Sequence, residues 1–284
     1  MRIDGTTVLL GLIGNPITHS YSPLLHNAVL DHLGLNAVYV PLQYSHQYLQ
    51  EAVTALRCSN FKGVNVTIPF KEAVVPYLDE LSGDAADCGA VNVIQHDHGR
   101  LIGHNTDGQG FLAALRAARV PIRGRVLFIG AGGAARSLGF ALARAGVSEI
   151  TLLDTNRERA HNLAQLIEER TTCSSTGNLM QREHFKEAAV NADLIVNCSP
   201  VGMHPHVDES PVDALDFVPR DTVLCDLVYN PTCTRFLAMG QQHGFQVLNG
   251  LAMFIHQAAL TMQILLGIDP PLEFMEEVMS GEVL

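Results

Sequence analysis

Lys71 follows the segment Val64-Asn65-Val66-Thr67-Ile68, whose alternation sets three aliphatic side chains on one face of a strand and Asn65 and Thr67 on the other. Pro69 then suits the first position of a helix, which puts Lys71 in the first helical turn. A cation there meets the positive end of the helix dipole and is disfavoured by ~0.3–1 kcal/mol. An exposed lysine tolerates that cost. A lysine offset by a nearby carboxylate is instead oriented for proton transfer. Asp107, in Asn105-Thr106-Asp107-Gly108, is the candidate carboxylate, and from spacing alone it serves equally well as a helix N-cap. His19-Ser20-Tyr21-Ser22-Pro23 reads as a helix opening with Ser22 as N-cap and Pro23 at the first helical position, and two hydroxyls at such an N-terminus also make a cradle for a carboxylate.

A second chemistry is written in Gly130-Ala131-Gly132-Gly133-Ala134-Ala135, a G-x-G-x-x-A turn between an apolar strand, Arg125–Ile129, and a helical stretch. Gly130 makes the tight turn, Gly132 lets backbone approach a pyrophosphate, and the helix N-terminus supplies N–H donors. The next strand ends Leu152-Leu153-Asp154, placing an acid 22 residues after Gly132, near the spacing of a ribose-binding carboxylate. A carboxylate at that point accepts the ribose hydroxyls and repels a 2′-phosphate, so NAD is the expected cofactor, with NADP open through Arg157 or Arg159. The plainer place for both arginines is a solvated helix face.

These groups need a scaffold of alternating strands and helices. Strands are expected at Val8–Ile13, Ala37–Leu42, Gly63–Ile68, Gly89–Ile94 and Arg100–Gly103, the last two joined at Asp97-His98-Gly99. Helices are expected at Pro23–Leu33, Gln47–Leu56, after Pro69, and at Asp107–Ala118. Beyond the connector Val120-Pro121-Ile122-Arg123-Gly124 the pattern is strand Arg125–Ile129, helix Gly133–Ala145, strand Glu149–Leu153, helix Arg157–Arg170, strands Leu194–Cys198 and Thr222–Leu227, helix Thr232–His243 and strand Phe245–Leu248. Helices Leu251–Leu266 and Leu272–Met279 close the chain. The fold class is α/β with two domains: residues 1–106, and 107–248 as a Rossmann-like parallel-sheet dinucleotide domain whose first part, 107–124, is a linking helix and connector. Residues 249–284 are expected to return to the first domain.

Composition narrows the function classes. In 284 residues, 47% hydrophobic and 17% charged content is that of a folded chain, and 18 Lys plus Arg against 29 Asp plus Glu give a formal charge of −11, which disfavours nucleic acid and anionic membranes as partners. No apolar run reaches the length of a membrane span, and Val8–Gly14 lacks the basic flank of a leader. Six scattered cysteines without a Cys-x-x-Cys pair are expected to be reduced thiols in the cytoplasm. The pairs His96/His98 and His204/His206 lack a third ligand at metal-site spacing, so no metal is expected. The sequence carries no signal for an oligomeric state.

The segments Gly14-Asn15-Pro16-Ile17-Thr18-His19-Ser20-Tyr21-Ser22-Pro23, Gly63–Lys71, Gly89-Ala90-Val91-Asn92, Gly103–Gly108, the glycine turn, Val201-Gly202-Met203, Tyr229-Asn230-Pro231 and Gly250…Gln257, in that order, resemble the shikimate dehydrogenase family from about Leu10 to Ile268. The resemblance implies residues 1–106 as an open α/β substrate domain, a cleft between it and the cofactor domain that holds the ligands, and reversible nicotinamide-dependent oxidation of shikimate to 3-dehydroshikimate, with a small polyhydroxylated carboxylate as ligand. By it, Ser20 and Ser22 bind the substrate carboxylate, and Thr67, Asn92, Asp107 and Gln257 hydrogen-bond ring hydroxyls. Tyr229 lines the pocket, Lys71 with Asp107 handles the proton, and Gly130–Ala134, Asp154 and Gly250 serve the cofactor. Members using NADP carry Asn-Arg-Thr where this chain has Asp154-Thr155-Asn156, and Leu265-Leu266-Gly267 stands where Trp-Thr-Gly is common. Asp154, Thr155 and His256 are similar to the NAD-dependent quinate/shikimate branch, whereas Ser22 is usual in shikimate-selective members. Quinate or aminoshikimate oxidation in catabolism is one alternative. A non-catalytic ligand-sensing paralogue is another, and an oxidoreductase of amino acids or folate derivatives is a more distant one.

Overall fold

The apolar run Val8–Gly14 forms strand β1, buried from Leu10 onward, because parallel neighbours flank it on both edges. The computed structural model describes residues 3–283, so Met1, Arg2 and Leu284 of the expected terminal segments lie outside the described residues. After β1 come α1 (Ser22–His32), β2 (Ala37–Gln43), α2 (Leu49–Arg57) and β3 (Phe61–Val66), the helices serving as the crossovers that parallel strands require. Then follow a short β4 (Glu80–Leu81), α3 (Gly83–Cys88), and the hairpin β5 (Val93–Asp97) with β6 (Arg100–His104). His98 and Gly99 both take positive φ, 47° and 85°, in the two-residue turn that matches strand twist. The first sheet runs β2-β1-β3-β5-β6-β4, parallel around β1 and antiparallel from β3 through β6. Its core gathers Ile13, Val64, Val66, Phe70, Val74, Val91 and Ile94.

Helix α4 (Asp107–Ala117) leads to β7 (Arg125–Ile129), α5 (Gly133–Arg144), β8 (Glu149–Asp154), α6 (Arg157–Arg170), β9 (Ser174–Leu179), α7 (Arg182–Ala189), β10 (Leu194–Asn197), β11 (Val223–Asp226), α8 (Arg235–Gln242) and β12 (Gln246–Leu248). This sheet is parallel throughout in the order β12-β11-β10-β7-β8-β9, the 3-2-1-4-5-6 arrangement of doubly wound dinucleotide folds. The direction of winding reverses between β7 and β10, so the ends of those strands open the crevice where such sheets bind ligands. Helices α9 (Leu251–Leu266) and α10 (Leu272–Val283) complete the chain. Two compact units result: residues through Asp107 with Ile255–Glu282 in one, and Gly108–Phe254 in the other. The chain passes between units within α4 and within α9. No helix among the described residues is long and apolar enough to cross a membrane.

Several expectations need correction. Ser22 is not an N-cap; Tyr21 occupies that position without a side-chain bond, and the Ser20 hydroxyl accepts the Ser22 N–H instead, at 3.2 Å. Strand β3 stops at Val66, leaving Thr67 and Ile68 outside it, and β5 begins at Val93 rather than Gly89. The helix expected after Pro69 is a run of turns before a short 3₁₀ segment at Val75–Tyr77. The Lys71 carbonyl accepts from Val91 N (2.8 Å), while Val75 N turns to Glu72, so no regular ladder forms. Lys71 therefore does not sit on a helix dipole. Helix α8 starts at Arg235, three residues later than expected, because Thr234 caps it through the Leu237 N–H.

Strand β9 and helix α7 carry no sequence signal. Ser174-Ser175-Thr176-Gly177-Asn178 is polar because β9 is an edge strand, and α7 buries only Phe185 and Ala189. Gly177 is required there: a Cβ would run into the Ala160 backbone of α6. Gly177→Ala should therefore cost ~1–3 kcal/mol by overpacking, read as a drop of roughly 2–4 °C in melting midpoint per kcal/mol. An unchanged midpoint would refute the close approach of β9 and α6.

Candidate active site

The first unit collects a buried polar cluster around Asp107. Its backbone is set before its charge is used: Asn105 Oδ1 accepts the Asp107 N–H (3.1 Å), and Asn105 Nδ2 donates to the Ala90 carbonyl (2.9 Å). Asn92 then decides which way the cluster faces. Its Oδ1 accepts the Thr106 N–H at 2.8 Å, which turns its Nδ2 toward Thr106 Oγ1 (2.8 Å), Asp107 Oδ1 (2.9 Å) and, more weakly, Gln257 Oε1 (3.4 Å). The second carboxylate oxygen takes Lys71 Nζ at 2.6 Å. The lysine side chain is 18% exposed and the aspartate 5%. Asp107 thus opens α4 with its carboxylate committed to Lys71 and Asn92 rather than to a cap. Of the three ammonium N–H donors, one goes to Asp107, so Lys71 retains donors for a ligand oxygen.

The remaining residues of this unit frame the pair. Phe70, fully buried, anchors the turn that carries Lys71. Thr67 follows β3 with its N–H bonded to the Ile13 carbonyl, and Gly14 leaves space for its methyl group. Ser20 precedes α1 and Ser22 opens it, 8% exposed, with its hydroxyl against the Tyr39 phenol. Gln257 lies buried on α9, and Thr261 one turn later donates to its carbonyl. A line of buried amides and hydroxyls passed unnoticed in the sequence: Tyr39 O–H donates to Asn65 Oδ1 (2.8 Å), and Asn65 Nδ2 donates to Thr261 Oγ1 (3.1 Å) and the Asn92 carbonyl (3.2 Å). The available signal was an asparagine inside an apolar strand.

The second unit holds the glycine turn and Asp154. Gly130 adopts φ 104° and lies so close to β10's exit that a Cβ would meet Cys198 C and Ser199 N at 3.1 Å. Gly132 is the N-cap of α5, with no side-chain capping bond and nothing within 4 Å of where a Cβ would stand. An uncapped helix N-terminus behind an open glycine fits a dinucleotide pyrophosphate, with Gly133 and Ala134 contributing the first turn. The Ala131 N–H goes to Asp154 Oδ2 (2.7 Å). Asp154 Oδ1 accepts Asn156 N–H (2.8 Å), and Arg159 grips both oxygens at 2.8 Å. Burial pushes this carboxyl up, but the hydrogen bonds from Arg159, Asn156 and Ala131 outweigh it and hold it below the usual range. Arg159 is therefore more than a solvated residue of α6, although its side chain remains 54% exposed. In this same unit Tyr229 stacks on Phe254 with centroids 5.0 Å apart, and Gly250 is obligatory because the Leu227 carbonyl occupies the place of a Cβ.

Residues 12–94 match the model for the shikimate dehydrogenase substrate binding domain. Over 283 residues the chain is 49% identical to a shikimate dehydrogenase (NADP(+)) of Syntrophomonas wolfei, covering all of this chain and 98% of that one. The chain belongs to the shikimate dehydrogenase family. Among solved structures, the shikimate 5-dehydrogenase of Listeria monocytogenes in complex with shikimate and NAD has 34% identity and a TM-score of 0.92, with 98% of each chain covered. The quinate dehydrogenase of Corynebacterium glutamicum in complex with NAD has 30% identity and a TM-score of 0.87, covering 97% of this chain and 99% of that one. Family membership and the geometry agree on an α/β nicotinamide-dependent oxidoreductase.

Asn92 makes the geometry testable. Asn92→Ala leaves the Thr106 N–H and one Asp107 oxygen without their buried partner, at ~1–3 kcal/mol for each group left unpaired. Urea unfolding should show that loss. A change below ~0.5 kcal/mol, the range of ordinary surface substitutions, would mean that Asn92 does not hold the carboxylate.

Proposed function

We propose that this protein catalyses the reversible oxidation of shikimate to 3-dehydroshikimate in the cytoplasm, with residues 1–106 and the returning C-terminal helices binding substrate and residues 107–248 binding the dinucleotide. The Lys71–Asp107 pair, with its carboxylate buried and its ammonium partly exposed, carries this reading. Oxidation of a secondary alcohol takes hydride from carbon and a proton from oxygen, so an acid/base group must reach that oxygen. A bound nicotinamide supplies the hydride acceptor. In reduction, the Lys71 ammonium polarises the ketone oxygen and donates the proton, while Asp107 orients the substrate and balances the ammonium charge until the proton leaves. Ser20 and Ser22 bind the substrate carboxylate, Thr67, Asn92 and Gln257 its ring hydroxyls, and Tyr229 bounds the pocket. Gly130, Gly132, Gly133 and Ala134 receive the pyrophosphate with Ala131 shaping the turn, and Gly250 borders the nicotinamide.

On the cofactor, the charge of Asp154 supports NAD. A second reading, NADP, gains support from one observation: Arg159 neutralises Asp154 through a single nitrogen, Nη2, shared between both carboxylate oxygens, and keeps half its side-chain surface open to a 2′-phosphate. The ratio of kcat/KM for NAD and NADP decides between them. Preference for NAD that moves toward NADP in Asp154→Asn/Thr155→Arg supports the first; preference for NADP that collapses in Arg159→Ala supports the second.

Lys71→Met should lower kcat by ~10²–10⁴ while changing shikimate KM far less, and Asp107→Asn should also weaken binding. Unchanged turnover in Lys71→Met would remove the lysine from the mechanism. Absence of nicotinamide reduction by the wild-type protein with shikimate, quinate and aminoshikimate would favour a ligand-sensing role. Between shikimate and quinate, the extra quinate hydroxyl falls at the carboxylate end, where Ser22 is buried and already engages Tyr39. Burying that hydroxyl without a partner costs ~1–3 kcal/mol, so quinate kcat/KM should be about tenfold or more below that for shikimate. Equal values would assign the protein to quinate and shikimate catabolism.

A further inference from the structure

Asp226 is the last residue of β11, and only 1% of its surface is exposed. Among the described residues no cation pairs with it. Three neutral donors from three different segments satisfy its oxygens: Asn197 Nδ2 at the end of β10 (3.0 Å), the Val228 N–H beyond β11 (3.0 Å), and Thr234 Oγ1 at the N-cap of α8 (2.7 Å). The arrangement continues outward. Asn197 Oδ1 accepts both the Ser199 hydroxyl (2.6 Å) and the Ser199 N–H (3.1 Å), and Asn197 Nδ2 also reaches the Val201 carbonyl (3.2 Å). Thr234 Oγ1 receives the Leu237 N–H while donating to the aspartate. A buried carboxylate without a counter-ion is a poor source of stability. Its three donors instead lock the exits of two adjacent strands to the start of a helix.

Those exits lie at the edge of the sheet where its winding reverses, and the glycine turn rests on them: Gly130 packs against Cys198 and Ser199. Val228, held by Asp226, immediately precedes Tyr229, and its carbonyl accepts the Gly250 N–H (3.2 Å). The dinucleotide turn, the Tyr229 segment and the Gly250 segment thus share one buried anchor. We propose that Asp226 is a positioning residue for the dehydrogenase reaction, whose ionised carboxylate holds the segments after β10 and β11 in the arrangement that supports the glycine turn, Tyr229 and Gly250. The proposal rests on the dehydrogenase reading above. It adds a requirement carried by the other unit: protonation of Asp226 turns one of its oxygens from acceptor to donor, so the Thr234 hydroxyl must reverse its role in that bond or release it. Burial pushes this carboxyl up to about 6 against the hydrogen bonds that lower it. The titratable groups interacting with it are the Cys198 and Cys225 thiols, both pushed up by burial and neutral through this range.

The test uses the purified full chain as wild type, Asp226→Asn, Thr234→Val and Thr234→Ser, with initial rates for shikimate oxidation measured from pH 5 to 8 and normalised to folded protein. Asp226→Asn and Thr234→Val should lose about tenfold or more in kcat and raise the cofactor KM severalfold. Thr234→Ser, which keeps the hydroxyl, should restore both. The wild type should lose kcat on acidification through about pH 6, and Asp226→Asn should lack that limb. Should Asp226→Asn fail to fold, the two Thr234 variants carry the comparison. Wild-type kcat, KM and pH profile per folded molecule in Asp226→Asn and Thr234→Val would overturn the proposal. An inactive wild type would instead overturn the dehydrogenase reading on which it rests.

Discussion

Removing the Asp107 carboxylate from water costs several kcal/mol unless charge and hydrogen bonds replace the lost hydration. Lys71 and Asn92 do so, one on each oxygen. That single requirement orders much of the first unit. Asn92 can face its amide nitrogen toward Asp107 only because a backbone N–H, that of Thr106, claims its oxygen. The Asn92 carbonyl in turn accepts Val66 N–H and Asn65 Nδ2, tying the cluster to β3 and, through Thr261, to α9. Lys71 reaches the carboxylate from a turn held by its own carbonyl on Val91. Each polar group has its direction assigned by a neighbour that cannot reverse, and the Lys71 ammonium is thereby aimed without a rigid helix beneath it.

The second unit solves a similar problem with different partners. Asp154 and Asp226 are also buried acids at the ends of parallel strands, yet one is gripped by a guanidinium and the other by neutral donors alone. The difference shows in their protonation: Asp154 is held low, whereas Asp226 is raised. Placing them at strand ends follows from the architecture, since strand exits are where loops must be tethered if the crevice of a doubly wound sheet is to keep its shape. Asp154 does this for the glycine turn by capturing the Ala131 N–H.

Much of this was legible from residue order. Strand β7, the glycine turn, helix α5 and the acid ending β8 announce themselves because their signals are local: an apolar run, a turn needing positive φ at Gly130, and a fixed spacing. The hairpin at His98-Gly99 is local too. What escaped depends on contacts distant in sequence or on the absence of burial. Strand β9 is polar because an edge strand needs no second apolar face, and the turns after β3 replace a plausible helix because Val91 captures the Lys71 carbonyl. Ser22 looked like an N-cap by composition, but Ser20 supplies the nearby hydroxyl. Asp154 had the spacing of an open ribose acid, and only the fold reveals that Arg159, five residues later, returns across the helix opening to occupy it.

Charge bears on how such a protein takes up its ligands. The chain carries a formal −11, while a carboxylate substrate and a dinucleotide are both anionic, so the long-range field opposes their approach. At physiological salt that opposition fades beyond roughly 8 Å, and recognition falls to donors at contact range. On the reading proposed above, these donors are an ammonium already paired with its own carboxylate, an uncapped helix N-terminus at Gly132, and a guanidinium bound to a buried acid. Two of these cations sit in neutral pairs. Pairing keeps each side chain oriented before a ligand arrives, so less conformational entropy is lost on binding.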